Sequence, residues 1–176
     1  MTYRQVLDEI AADQILLPLS AGRPVAPEFV TRLRKETPFS IFAGSYSPEG
    51  AMCGVWLRYQ CWDDAHSIAQ DLNTPEGSYW HGVIHRMEPD SWNSNYWFRQ
   101  AGKHKIFPAL RNSAARLCSQ RPGAGFSVGD EWKPGEFIGF CEEARKSPDS
   151  EANLLAREIQ MAEWWLLFEY CARRGL

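Results

Sequence analysis

Residues 148–174 read PDSEANLLAREIQMAEWWLLFEYCARR, and the expected fold class follows from them. A serine, a proline and an aspartate at 147–149 supply a helix start signal, and Gly175 supplies a stop signal. Between residues 154 and 172, apolar side chains fall on nearly every face of this helix. Helices with that pattern are usually surrounded by other helices. The sequence therefore predicts a central helix against which the rest of the chain packs.

Apolar residues at helical spacing predict seven further helices. These helices cover residues 3–12, 27–35, 51–72, 75–87, 91–101, 106–117 and 135–146. Glycine and proline predict loops at 37–50 and 121–129. No strand pair with a hairpin turn is visible in the sequence. We therefore expect an all-α protein: a single domain over residues 1–176, built as an irregular helical bundle of about six to eight helices around the apolar C-terminal helix.

Composition limits the classes of partner. The formal net charge is -3 and the pI about 5.8, so no basic field is available and we expect no nucleic acid partner. No apolar run reaches the roughly 18 residues of a membrane span, and acids interrupt the N-terminal apolar stretch, unlike a secretory signal. The five cysteines form no CxxC pair and are expected to be reduced thiols. A cytoplasmic protein without a membrane partner is predicted.

Histidines give the first candidate site. On the predicted helix 75–87, His81, His85 and Glu88 are spaced i, i+4 and i+7, which places two imidazoles and a carboxylate on one side. This spacing lets two histidines share a divalent metal ion, the cofactor that the stripe predicts. The chain offers His104, or Asp63, Asp64 and His66, to complete the shell. The alternative is that both histidines are half-buried residues with structural partners.

Cations give the second candidate site. Arg86 and Arg99 can form bidentate pairs with a carboxylate or phosphate, and Asn93 offers an adjustable amide beside them. Together with the histidines they predict a pocket for a small anionic or polar ligand, lined by His81, His85, Arg86, Asn93, Arg99 and His104. The alternative is that both arginines pair with nearby acids and brace the helices.

Two further features need partners. Tyr96, Trp97 and Phe98 are consecutive on a helix and point about 100° apart, so at least one should contact another element or a ligand. Glu163 lies within the apolar helix, where it must reach the surface, pair with a base such as Arg86, or be held neutral by burial.

Residues 95–102, NYWFRQAG, resemble the second helix of a Sel1-type or tetratricopeptide repeat. Gly82, Phe98 and Ala101 keep the spacing of the small and aromatic positions through which such helix pairs pack, although Ser94 stands where that motif usually has alanine. This resemblance implies a surface that binds other proteins.

Residues 80–107 also resemble a family of uncharacterised microbial proteins that share the pattern WHGxxHRxExDxxNxxYWFRxAGxHxxF. The resemblance implies a shared site but no particular chemistry. It directs attention to His81, His85, Arg86, Glu88, Asp90, Asn93, Arg99 and His104.

Three functions are therefore open. The leading hypothesis is a helical domain that binds a small polar or anionic ligand in an aromatic-walled pocket. The alternatives are a metal-dependent hydrolase that uses His81 and His85, and a protein-interaction module built on the helix pair.

Overall fold

The computed structural model describes residues 1–12 and 16–174 of the chain. Within these residues it contains ten α-helices and one 3-10 turn, Pro122–Ala124. The helices are α1 Tyr3–Ala12, α2 Pro27–Leu33, α3 Pro38–Ile41, α4 Pro48–Arg58, α5 Trp62–Asp71, α6 Pro75–Met87, α7 Ser91–Ala101, α8 Phe107–Gln120, α9 Pro134–Arg145 and α10 Glu151–Ala172.

The all-α helical bundle is confirmed, with more helices than the predicted six to eight. In the described ranges the extended pairing is limited to one isolated bridge, between Ser45 and Arg174. None of the described helices combines the length and apolar character that crossing a membrane requires.

The longest helix, α10, belongs to both parts of the hydrophobic core. Its first turns pack with α8 and α9 through residues such as Leu155 and Ile159. Its later turns pack against α4, where the Trp164 indole nitrogen donates to the Gly54 carbonyl at 2.9 Å. The predicted central position of this helix is therefore correct.

The predicted start of α10 was wrong. The helix begins after Ser150, whose hydroxyl accepts a hydrogen bond from the Asn153 amide at 3.1 Å. Pro148 and Asp149 lie in the preceding turn. The predicted stop residue, Gly175, lies outside the described residues.

Two predictions between residues 37 and 72 were also wrong. The expected loop at 37–50 contains α3, which opens with a reciprocal capping arrangement between Thr37 and Ser40. The expected helix at 51–72 is broken into α4 and α5 because Gln60 adopts a positive φ of 57°. A residue in the left-handed region cannot continue a helix, so α5 leaves in a new direction.

The helices α6 and α7 form a closely packed pair, with the bounds that the sequence predicted. A β-carbon at Gly82 would lie 2.8 Å from the Phe98 ring, so only glycine permits this approach. The Ser94 hydroxyl donates to the Gly82 carbonyl at 2.7 Å. The small and aromatic positions identified in the sequence therefore do pack a helix pair.

The connection between α5 and α6 is equally tight. The Thr74 hydroxyl caps α6 by accepting from the Gly77 amide at 3.2 Å. A β-carbon at Gly77 would lie 2.0 Å from the Leu72 carbonyl oxygen. Glycine at this position thus allows the end of α5 to lie against the first turn of α6.

A buried ion pair connects α6 to α10. The Arg86 guanidinium contacts one carboxylate oxygen of Glu163, and both side chains are 1% exposed. The Tyr79 hydroxyl donates to the other oxygen at 2.9 Å. Arg86 also lies 4.7 Å from the centre of the Phe137 ring, a cation–π arrangement. Of the arrangements open for Glu163, the structure shows a buried pair with a base.

Adjacent tryptophans on α10 provide a test of its central position. Trp164 is 1% exposed and hydrogen-bonded to α4, whereas Trp165 is only partly buried. We expect Trp164→Ala to lower the free energy of unfolding by about 3–5 kcal/mol, because it leaves a large cavity. Urea unfolding should show a loss for Trp165→Ala of less than about 2 kcal/mol. Equal losses would contradict the described orientation of α10.

Candidate metal centre

Three histidines from two helices converge at the contact of α5 with α6. The Nε2 atoms of His66 and His81 lie 3.1 Å apart. With His85 added, each residue offers a ring nitrogen, and all three nitrogens lie within 4.8 Å of one another. The structure thus brings His81 and His85 together with His66, one of the residues that the sequence offered to complete a metal shell.

The helices explain this convergence. His81 and His85 lie one turn apart on α6, and their rings stack with centres 4.8 Å apart. His66 approaches from α5 and stands edge-on to both rings. The break at Gln60 and the close contact at Gly77 direct α5 across this face of α6.

An aromatic ring from α7 covers the cluster. Trp97 stacks on His81 with ring centres 4.0 Å apart and an interplanar angle of 15°. Its neighbour Phe98 points into the core, while Tyr96 is partly exposed and meets Trp97 edge-on. The expectation that at least one of these three aromatics contacts another element is met twice, by Phe98 against Gly82 and Tyr79 and by Trp97 against His81.

The nitrogen spacing suits a metal ion. Zinc binds imidazole nitrogens at about 2.0–2.1 Å, so two ligands of a tetrahedral site lie about 3.3 Å apart. The 3.1 Å separation of His66 and His81 is close to that value, and it is also the length of a hydrogen bond between the two rings, the structural alternative for these histidines. The Nδ1 atom of His81 is buried without a hydrogen-bond partner among the described residues, so no contact there accounts for a polar ring at this position.

Burial keeps two of these imidazoles in the form that binds metal. It lowers the pKa of His81 to about 4, and the nearby rings of His85 and His66 contribute in the same direction. Burial also lowers the pKa of His85, although the carboxylates of Glu88 and Asp90 oppose this effect. Both rings are therefore neutral at pH 7, with a lone pair available.

Carboxylates flank the outer side of His85. Its Nδ1 atom lies 3.1 Å from a Glu88 oxygen and 3.9 Å from an Asp90 oxygen, although the nearer contact is not aligned as a hydrogen bond. Carboxylates in this position orient metal-binding histidines. Glu88, predicted as a ligand, caps the end of α6 beside His85 and is not part of the convergent nitrogen group.

The other acids offered as ligands lie away from the cluster. Asp64 pairs with Arg34 at 3.0 Å, and Asp63 is exposed on α5.

The residues predicted to bind a ligand are distributed over several places. Arg86 is buried against Glu163. The Asn93 amide donates to Asp90 at 2.6 Å and so completes the cap of α7. Arg99 is exposed, and no ion pair joins it to any other residue in the described part of the chain. Arg86 is therefore turned to α10, whereas the Asp90 oxygen that accepts from Asn93 also lies 3.9 Å from the Nδ1 atom of His85.

His104 lies in a separate aromatic cluster. Its Nε2 atom is 3.6 Å from a Glu76 oxygen, and its ring meets Tyr79 and Tyr170 edge-on at 5.1 Å and 4.9 Å. The structure therefore does not bring His104 to the other three histidines.

The cysteines are not activated nucleophiles. All five are free, and burial raises the pKa of each thiol, for example to about 11 at Cys61 and about 12 at Cys141. Thiols with raised pKa values remain protonated and unreactive at neutral pH.

Comparison with known proteins gave no match: no family model, curated protein or solved structure matches this chain. The two resemblances noted in the sequence therefore stay predictions.

The lowered pKa of His81 predicts a pH dependence of stability. Between pH 6.5 and about 4 the His81 imidazole binds a proton in the unfolded chain but not in the folded one. The free energy of unfolding of metal-free protein should therefore fall as pH decreases through this window, and His81 should stop contributing to the fall below pH 4. Urea unfolding in the presence of a chelator should show a smaller fall for His81→Gln. Identical pH profiles would contradict the buried neutral imidazole.

Proposed function

We propose that this protein binds a divalent transition-metal ion through His66, His81 and His85. The observation that carries the proposal is the convergence of three imidazole nitrogens, two of them 3.1 Å apart, on one side of α6. The two rings on α6 are held neutral at pH 7 by burial. Zinc, copper, nickel and iron all accept such nitrogen ligands.

We further propose that the metal serves hydrolysis. Three protein ligands leave a fourth position of a tetrahedral ion for water, and a metal-bound water can act as a nucleophile near neutral pH. The carboxylates of Glu88 and Asp90 beside His85 support the metal site on which this reaction depends, because they can orient the ligand. In this proposal the three histidines are the metal ligands, and Glu88 orients His85.

The small-ligand hypothesis for the same region has less support. Of the six residues in that set, Arg86 is paired with Glu163 and His104 faces Glu76. His81 and His85 stack on each other, and Asn93 donates to Asp90 beside His85. The protein-interaction hypothesis rests on α7, where Trp92 is 73% exposed and stacks with Tyr96. Both hypotheses stay predictions.

Free thiols are typical of a reducing compartment, and we propose the cytoplasm as the location. All five cysteines are free, and four of them are buried. Unpaired cysteines persist in cytosolic proteins, where disulfides are rare.

Metal content tests the proposal directly. The purified, tag-free protein should contain close to one zinc, manganese, iron, copper or nickel ion per chain, measured by mass spectrometry. His66→Ala should lose this metal while the helical circular dichroism is retained, because His66 is only half-buried on α5. The double variant with His81→Ala and His85→Ala should lose it as well.

The fourth histidine provides the control. His104 lies outside the cluster, so His104→Gln should keep the metal content of the unmodified chain. Equal metal content in His66→Ala and His104→Gln would overturn the proposed centre. Absence of metal from the unmodified protein, even after incubation with each ion and dialysis, would do the same.

Hydrolysis has its own test. The metal-loaded protein should cleave an activated ester or phosphodiester such as p-nitrophenyl acetate or bis(p-nitrophenyl) phosphate, and His66→Ala should not. Glu88→Gln should lower metal affinity or rate by about 10- to 100-fold, as expected for a residue that orients a ligand. A rate unchanged by chelator would reject metal-assisted hydrolysis and leave only metal binding.

A further inference from the structure

A second site lies away from the histidine cluster. A cavity of about 880 Å³ separates the start of α8 from the segment that leads into α9. Its apolar walls come from Phe107, Pro108, Trp132 and Pro134. This volume is in the range of small-molecule sites in proteins.

Two helices begin at this cavity. Phe107 opens α8 and Pro134 opens α9, and both residues line it. Neither helix has a side-chain cap. In their first three positions Pro108 and Pro134 have no N–H, and the Phe107 and Glu136 amides donate to backbone carbonyls, which leaves the Ala109 and Gly135 amides open among the described residues. The positive ends of two helix dipoles, from helices of 14 and 12 residues, therefore border one space. Such ends favour an anion, although they do not make a site by themselves.

The charged rim adds to this preference. Lys103 pairs with Glu131 at 3.6 Å, and Lys133 pairs with Glu136 at 2.9 Å. The remaining charged residues at the rim are Lys105, Arg111 and Asp130. Their sum is one positive charge, from two cations against one acid. Arg111 donates to the Gly129 carbonyl at 2.8 Å, a contact that leaves its charge unneutralised.

One buried donor in the walls has no acceptor. The indole nitrogen of Trp132, a side chain that is 6% exposed and lines the cavity, is buried without a hydrogen-bond partner in the described part of the chain. The other buried polar side chain of the walls is His104. Its Nδ1 atom accepts from the Ile106 amide at 3.4 Å, and its Nε2 atom faces the Glu76 carboxylate at 3.6 Å. The unpartnered hydrogen is therefore that of the Trp132 indole.

The rim carries a net positive charge although three acids belong to it, and the walls are apolar. We propose that the cavity binds a small amphipathic anion, with a carboxylate or phosphate group at the two helix ends and an apolar body against Phe107 and Trp132. Helix ends, two unpaired rim cations against one unpaired acid, and the unpartnered indole N–H of Trp132 favour an oxygen anion, whereas the walls favour a ring or short aliphatic chain. The site shares only His104 with the ligand set that the sequence indicated, and it does not depend on the metal centre.

The test uses four probes with the same ring and different head groups: phenylacetate, phenyl phosphate, phenylacetamide and phenethylamine. Binding is followed through the indole N–H signal of Trp132 in proton–nitrogen correlation spectra, assigned by its loss in Trp132→Phe. We expect saturable shifts of this signal with one or both anions, and the relative affinity of the two identifies the head group. The neutral amide and the cationic amine should shift it little.

Matched variants locate the charge. Arg111→Gln and Lys105→Gln should each weaken anion binding by about tenfold, the loss of one charge-assisted contact. Arg116→Gln, an exposed cation on the same helix that does not line the cavity, should bind as the unmodified chain does. Equal shifts with all four probes, no shift with either anion, or affinities insensitive to both rim substitutions would overturn the proposal. His66→Ala should bind the anions unchanged, which separates this site from the metal centre.

Discussion

The buried ion pair between Arg86 and Glu163 fixes the rotation of α6 in the bundle. Burying a charged side chain is strongly unfavourable unless a group of opposite charge pairs with it, so α6 has to present Arg86 to Glu163 on α10. The pair is reinforced on several sides: Gln160 accepts from Arg86, and Arg145 on α9 donates to the Arg86 backbone carbonyl at 2.7 Å. His81 lies five residues before Arg86, about 140° around the helix. Once Arg86 faces α10, His81 has to face away from it, toward α5 and α7, where the metal centre is proposed.

Local chemistry explains which parts of the fold the sequence predicts well. The bounds of α6 and α7 follow from Thr74, Asp90 and Gly102, since caps act within one turn and need no knowledge of the rest of the chain. The break between α4 and α5 has no such signal, because Gln60 is a residue that ordinarily continues a helix. Its positive φ belongs to the end of α4, where the Cys61 amide donates to the Trp56 carbonyl at 2.9 Å, a position that glycine usually occupies. The short helix α3 was missed for another reason. Thr37 and Pro38 give the same start signal as Thr74 and Pro75, but the serines, glycines and prolines that follow indicated a loop.

In the candidate site, too, some contacts follow from local spacing and others depend on how the helices pack. Helical spacing alone places His81 and His85 on one side of α6, but the meeting of His66 with His81 depends on the angle between two helices. Arg86 was predicted to face a ligand, and its residue type suits that role as well as it suits a buried pair. The burial of Arg86 decides for the buried pair, and whether a single arginine is buried depends on the tertiary structure. Likewise, Trp97 is one of three adjacent aromatics, and only the position of α7 against α6 selects it as the ring over His81.

The contact at Gly77 changes what a relative of this protein has to conserve. A side chain there would collide with the Leu72 carbonyl and push α5 away from α6, so His66 would leave His81 even if all three histidines were kept. A chain that shares only the histidines is therefore a poor candidate for the same chemistry. A homologue that carries the centre should retain the glycine together with the imidazoles, and paired loss of Gly77 and His66 would be the natural route by which a lineage gives the centre up while keeping the fold.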